Sequence, residues 1–162
     1  MAFSVYDASA FYAGIPFAVQ EEGYTTSLVF DEIKHIKKNH GALDVLLETG
    51  RLKILDPEQQ NVDEITKAAK KTGDFQKMSV QDISAVALCY QIGGQIVTDD
   101  FSVSNIAKNL NLHVHPIMTK GIKDVGRWIY YCPGCAKEFS KITTCPVCGS
   151  TLNRKLLKGK PL

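Results

Sequence analysis

Apolar positions in residues 1–115 follow two rhythms: short β-branched or aromatic runs, and longer stretches with apolar residues three or four apart. The first rhythm predicts strands at Phe3–Tyr6, Arg51–Leu55, Gln95–Thr98 and Leu112–His115, the last stopped by Pro116. The second predicts helices over Ser27–Lys38, capped by Thr26 or Ser27, and over Ala42–Glu48, Val62–Lys71, Ser79–Ile92 and Val103–Asn111. Gly50, Gly73 and Gly93-Gly94 stand where helices should stop, and Asp56-Pro57 breaks the chain after the second strand. Parallel strands need crossover connections, so this alternation implies an α/β fold, a three-layer α/β/α domain with a mostly parallel central sheet. We place this domain at residues 1–116, a glycine- and lysine-containing linker at 117–126, a small second domain at 127–153 and a basic tail at 154–162.

Charge divides the chain more sharply than the total of +2 indicates. Residues 1–118 carry ten Lys/Arg against fifteen Asp/Glu, net −5, and residues 119–162 carry nine against two, net +7. A compact basic end is suited to a polyanion such as RNA, whereas an acidic domain handling a polyanion needs metal cations. The apolar runs fall short of the roughly 18 residues of a membrane span, and no basic start precedes an apolar block, so we expect a soluble, cytoplasmic protein without a membrane partner.

Four of the five cysteines form two C-x-x-C pairs, Cys132/Cys135 and Cys145/Cys148. Two tight turns of this spacing present four thiolates to one ion, the tetrahedral set a structural Zn²⁺ prefers, and so short a segment needs such a staple. A closed site of this kind leaves no position for a substrate. Around it, Arg127, Trp128, Tyr130, Lys137, Arg154, Lys155, Lys158 and Lys160 supply charge and stacking surface for RNA; the competing reading is aromatic packing in a small core beneath a solvated basic surface.

Acidic residues sit where open α/β sheets place ligands, beyond the carboxyl ends of strands. Asp7 follows the first strand, and Thr98-Asp99-Asp100 ends the strand at Gln95. Asp82 lies three residues after Ser79, which also fits a helix cap, and Glu32 lies within an early helix. Taken singly, each acid has a structural explanation. His113, His115 and His35 are weaker metal-ligand candidates, and Cys89 fits the apolar face of its helix.

Asp7-Ala8-Ser9, Glu32, Asp82 in a helix continuing through Ala85, Ala87 and Leu88, and Thr98-Asp99-Asp100 together resemble the acidic motifs of the PIN-domain ribonucleases. With the cysteine ribbon added, the chain is similar to those members that mature the 3′ end of small-subunit ribosomal RNA, in a short archaeal form. The resemblance implies a divalent-metal-dependent endoribonuclease with precursor rRNA in a pre-ribosomal particle as substrate, and assembly-factor proteins as further partners. Mg²⁺ or Mn²⁺ would be held by Asp7, Glu32, Asp82 and Asp100, supported by Ser9 and Thr98. The family pattern Thr-x-Asp favours Asp100 and leaves Asp99 open. Clustered carboxylates need such a counter-charge, and a metal-bound water is a suitable nucleophile toward phosphorus. The alternatives are a toxin-type PIN ribonuclease and a non-catalytic RNA-binding assembly factor.

Overall fold

The computed structural model describes residues 3–34, 40–117, 126–139, 144–147 and 149–158. His35 and Cys148, as well as Lys160, lie outside them, as does most of the expected linker.

Five parallel strands form the central sheet: β1 (Ser4–Tyr6), β2 (Gly23–Thr25), β3 (Leu52–Ile54), β4 (Gln95–Val97) and β5 (His113–His115), in the order β3-β2-β1-β4-β5. The flanking helices are α1 (Ala8–Tyr12), α2 (Ile15–Ala18), α3 (Ser27–Ile33), α4 (His40–Glu48), α5 (Gln59–Thr72), α6 (Val80–Ile92) and α7 (Phe101–Asn109). Among the described residues no helix is long and apolar enough to cross a membrane. Helix α6 is the central element: its run from Ile83 to Cys89 is buried without interruption, which explains why polarity alternates so little along it. Cys89 is a core residue whose thiol donates to Gly94 O at 3.1 Å, and burial pushes that thiol up to about 12.

Strand β2 and the first two helices left little trace in the sequence pattern. Three residues are too few to display alternation, and β2 opens on a glycine for a packing reason. A Cβ at Gly23 would lie 2.1 Å from the ring of Tyr6, so the aromatic lies across the glycine. Helices α1 and α2 are single turns separated by Gly14, whose φ of +80° breaks the helical path. The helix expected over Ser27–Lys38 is capped by Thr26 and ends at Ile33.

A second, antiparallel sheet holds β6 (Gly126–Tyr131), β7 (Glu138–Phe139) and β8 (Asn153–Lys158) in the order β7-β6-β8. Residues 154–158, expected as tail, form most of β8, paired to β6 from Gly126↔Lys158 to Tyr131↔Asn153. Tyr130, Cys132, Cys145 and Leu152 make its small core. The two sheets meet at Gly73, which caps α5 with φ +81°; a Cβ there would stand 2.5 Å from Trp128 O.

Candidate active site

Register brings the acids together. Strands β1 and β4 pair as Ser4↔Gln95, Val5↔Ile96 and Tyr6↔Val97, so Asp7 and Thr98, one residue further on, stand side by side at the carboxyl edge. Thr98 Oγ1 donates to Asp7 Oδ2, Ser9 Oγ donates to Asp7 Oδ1 at 2.6 Å, and Ala10 N donates to the same oxygen at 3.0 Å. Both supporting hydroxyls expected from the sequence therefore meet Asp7. Thr98 Oγ1 also accepts from Asp100 N at 3.0 Å, coupling the two acid-bearing loops.

Each of three acids also starts a helix. Asp7 caps α1 through Ala10 N, Asp100 caps α7 through Val103 N at 3.1 Å, and Asp82 Oδ2 accepts from Ser79 N at 3.0 Å in a capping box with Ser79. The structural and chemical readings of these residues are thus not exclusive. One oxygen of each acid is committed to a helix start, and the amino ends of α1, α6 and α7 converge on the same edge, where their dipoles favour negative charge.

That support is incomplete. Burial raises the Asp7 pKa, against the hydrogen bonds of Ser9, Thr98 and Ala10, and the charge of Asp82 raises it further. Burial also raises Asp82, against its Ser79 bonds, with Asp100 adding repulsion. The three acids therefore sense one another in series. No three of the described carboxylates bring oxygens within 4.8 Å of one another. Glu32 is exposed on α3, which packs against α1 and α6. Asp99 turns elsewhere: its Oδ1 accepts from Ile117 N at 2.8 Å and ties down the chain leaving β5.

Thr98→Val keeps shape and removes both hydroxyl bonds. We expect about 1–3 kcal/mol lower stability and about 10- to 100-fold weaker metal binding, read by thermal melts and a Mn²⁺ titration.

In the second sheet, Sγ atoms of Cys132, Cys135 and Cys145 lie within 4.8 Å of one another, with Cys135 and Cys145 3.6 Å apart. The two turns are built alike. Ala136 N donates to Cys132 O and Gly149 N to Cys145 O, both at 2.8 Å, and Ala136 and Gly149 both adopt positive φ. Such a converging thiol set can hold a metal ion.

The basic and aromatic residues divide. Tyr130 is buried in the small core, in place of the exposed RNA-facing position expected for it. Trp128 is held between the Phe101 ring and the Arg154 guanidinium, while Lys155 pairs with Glu138 at 3.1 Å and lies over Tyr131. Lys137 is exposed. Asp74 went unnoticed in the sequence, although it follows the helix-ending Gly73 and is fully buried.

In this parallel α/β fold the acids gather beyond the carboxyl ends of β1 and β4, where such sheets bind ligands. The family model described as PIN domain of ribonuclease matches residues 4–92. Endoribonuclease Nob1 of Pyrococcus abyssi is 34% identical, covering 90% of this chain and 89% of its own. Endoribonuclease Nob1 of Methanocaldococcus jannaschii is also 34% identical, covering 99% and 81%. Ribonuclease VapC1 of Thermoplasma acidophilum is 35% identical, covering 84% and 69%. The chain belongs to the PIN-domain ribonucleases, in the group that holds the archaeal Nob1 endoribonucleases.

Proposed function

We propose that the protein is a divalent-metal-dependent endoribonuclease that cuts precursor small-subunit ribosomal RNA at its 3′ end, in the cytoplasm and within a pre-ribosomal particle. The observation that carries this reading is the series Asp7–Asp82–Asp100, three acids on three helix starts whose mutual repulsion a cation would relieve. Asp7, Asp82 and Asp100 would hold Mn²⁺ or Mg²⁺, with Glu32 joining from α3. When bound, such an ion supplies an activated water and stabilises charge on the phosphate and leaving oxygen. The protein's own part is to fix those carboxylates: Thr98 and Ser9 orient Asp7, and the capping bonds orient Asp82 and Asp100. Zn²⁺ would occupy the thiol set with Cys148 as fourth ligand, keeping the small sheet folded so that it can hold RNA. The 34% identity to the Methanocaldococcus jannaschii Nob1 endoribonuclease over 99% of the chain supports the endoribonuclease reading, and the name of a Saccharomyces cerevisiae relative, 20S-pre-rRNA D-site endonuclease, 33% identical over 43% of this chain, supports the ribosomal substrate.

A second reading is a PIN ribonuclease of a toxin-antitoxin pair, of which the VapC1 relative supports the ribonuclease part. Expression without any partner separates the two, because arrested growth of the host would favour the toxin.

Linkage gives a test of the metal. With Asp7 and Asp82 raised, the metal-free native state binds protons more tightly than the unfolded chain, so its stability rises as pH falls through those raised values. Mn²⁺ competes with these protons. Saturating Mn²⁺ at about 100 times its Kd should therefore add about 2.7 kcal/mol near neutral pH and clearly less as the pH falls through those raised values. A stabilisation by Mn²⁺ that does not change with pH would place the ion elsewhere.

A further inference from the structure

The contact between the two sheets is built around a buried carboxylate. Asp74 is 0% exposed. Its Oδ2 accepts from Thr72 Oγ1 at 2.6 Å and from Asn105 Nδ2, on α7, at 2.7 Å. Its Oδ1 is buried without a hydrogen bond of good geometry, and two N–H donors of the opposite sheet, Trp128 Nε1 and Arg154 Nε, are buried in the same condition. The donors and the acceptor are complementary. Arg154 Cζ lies 3.7 Å from the centre of the Trp128 ring, and Arg154 Nη2 donates to Gly73 O at 3.3 Å. Burial raises the Asp74 pKa, and the hydrogen bonds of Thr72 and Asn105, the facing N–H of Trp128 and the Arg154 charge oppose this. Partners from both sheets thus serve one carboxylate.

Both acid-bearing loops leave from this junction. Asp74 leads through a 3-10 turn at Phe75–Lys77, closed by Lys77 N to Asp74 O at 2.9 Å, to Ser79 and hence to the cap that orients Asp82. Phe101, whose ring meets Trp128 edge-on at 5.8 Å, directly follows Asp100, and Asn105 lies on the helix that Asp100 caps. Moving the second sheet would therefore disturb the residues beside Asp82 and Asp100 together.

We propose that Asp74, Trp128 and Arg154 form a latch through which the cysteine-bearing sheet positions Asp82 and Asp100. Arg154 and Trp128 are then positioning residues for the carboxylate centre and not RNA contacts. The catalytic consequence rests on the nuclease reading above. An RNA role for Arg154 would require the guanidinium to leave the indole face and Gly73 O, stranding a buried carboxylate.

The test uses the full-length, metal-loaded protein with Arg154→Met, Arg154→Lys, Asp74→Asn and the Asp74→Asn/Arg154→Met double variant. The latch predicts that both Arg154 variants lose about 10- to 100-fold in kcat with KM unchanged, because Lys restores the charge but neither the stacked plane nor the fork. It also predicts a several-fold higher Mn²⁺ concentration for half-maximal rate, RNA affinity within about twofold of wild type, and a double variant no worse than the poorer single one. Full activity in Arg154→Lys would overturn it. So would weaker RNA binding with the salt slope reduced by about 1, the signature of a lost phosphate contact. Trp128 is the single tryptophan of the chain, so its emission reads the junction without any cleavage assay. Asp74→Asn, nearly isosteric and the least disruptive change, should shift that emission to the red and open it to a neutral quencher; unchanged emission would overturn the latch. A wild-type protein that cuts no RNA would remove the nuclease reading, while the fluorescence still decides the latch.

Discussion

Asp82→Asn should lower RNA cleavage by about a thousandfold while leaving the fold and RNA binding intact. The amide oxygen of Asn can still accept from Ser79 N, so the capping box loses its charge but keeps its hydrogen bond. What disappears is one negative charge from the series Asp7–Asp82–Asp100, and with it part of the attraction for the cation. Asp100→Asn makes the same separation, because Asn is a good cap for α7. Alanine at either position would confound the two roles by removing the cap as well. The measurements are single-turnover cleavage, a thermal melt and RNA binding by anisotropy. A melt lowered by several degrees with cleavage retained would assign Asp82 to structure alone.

Removing the Zn²⁺ proposed for the thiol set should have the second largest effect. Among the described residues the buried core of the second sheet is Tyr130, Cys132, Cys145 and Leu152, with Cys135 and Phe139 packed against it, a small core to fold unaided, and a zinc ion bound by four thiolates supplies apparent free energies of about 10–16 kcal/mol. Cys132→Ser, at a fully buried position, should abolish zinc retention and unfold this sheet. Far-UV circular dichroism and metal content by mass spectrometry check this. Retention of one zinc per chain by Cys148→Ser would show that Cys148 is not the fourth ligand.

The sequence made the main elements legible because their apolar spacing matches their burial. The glycines after α4, α5 and α6 mark true helix ends, and Gly73 and Gly93 both adopt the left-handed conformation expected at such ends. The positions of Asp7 and Thr98 were legible in outline, since both follow strands, but their adjacency depends on β1 and β4 being neighbours, which no local pattern encodes. The explanation of Asp82 as part of a helix cap holds in the structure and is compatible with the chemical role proposed for it. Strand β2 was hidden by its length and by Gly23, whose reason for being there is the Tyr6 ring in another strand. The junction was invisible for the same reason: Asp74, Asn105, Trp128 and Arg154 are far apart in the chain and are joined only by packing. Composition cannot tell an exposed aromatic from one covered by its neighbours, as Tyr130 is in the small core.

The central claim is that three acids on three helix starts hold a metal ion that cuts RNA at one defined place. The most direct measurement is incubation of the purified protein with a small-subunit rRNA precursor, with and without Mn²⁺, mapping every new end. The account predicts one dominant Mn²⁺-dependent cut at the 3′ end of the mature sequence, absent with Asp82→Asn. Uniform degradation, or cutting that is indifferent to Mn²⁺, would contradict it.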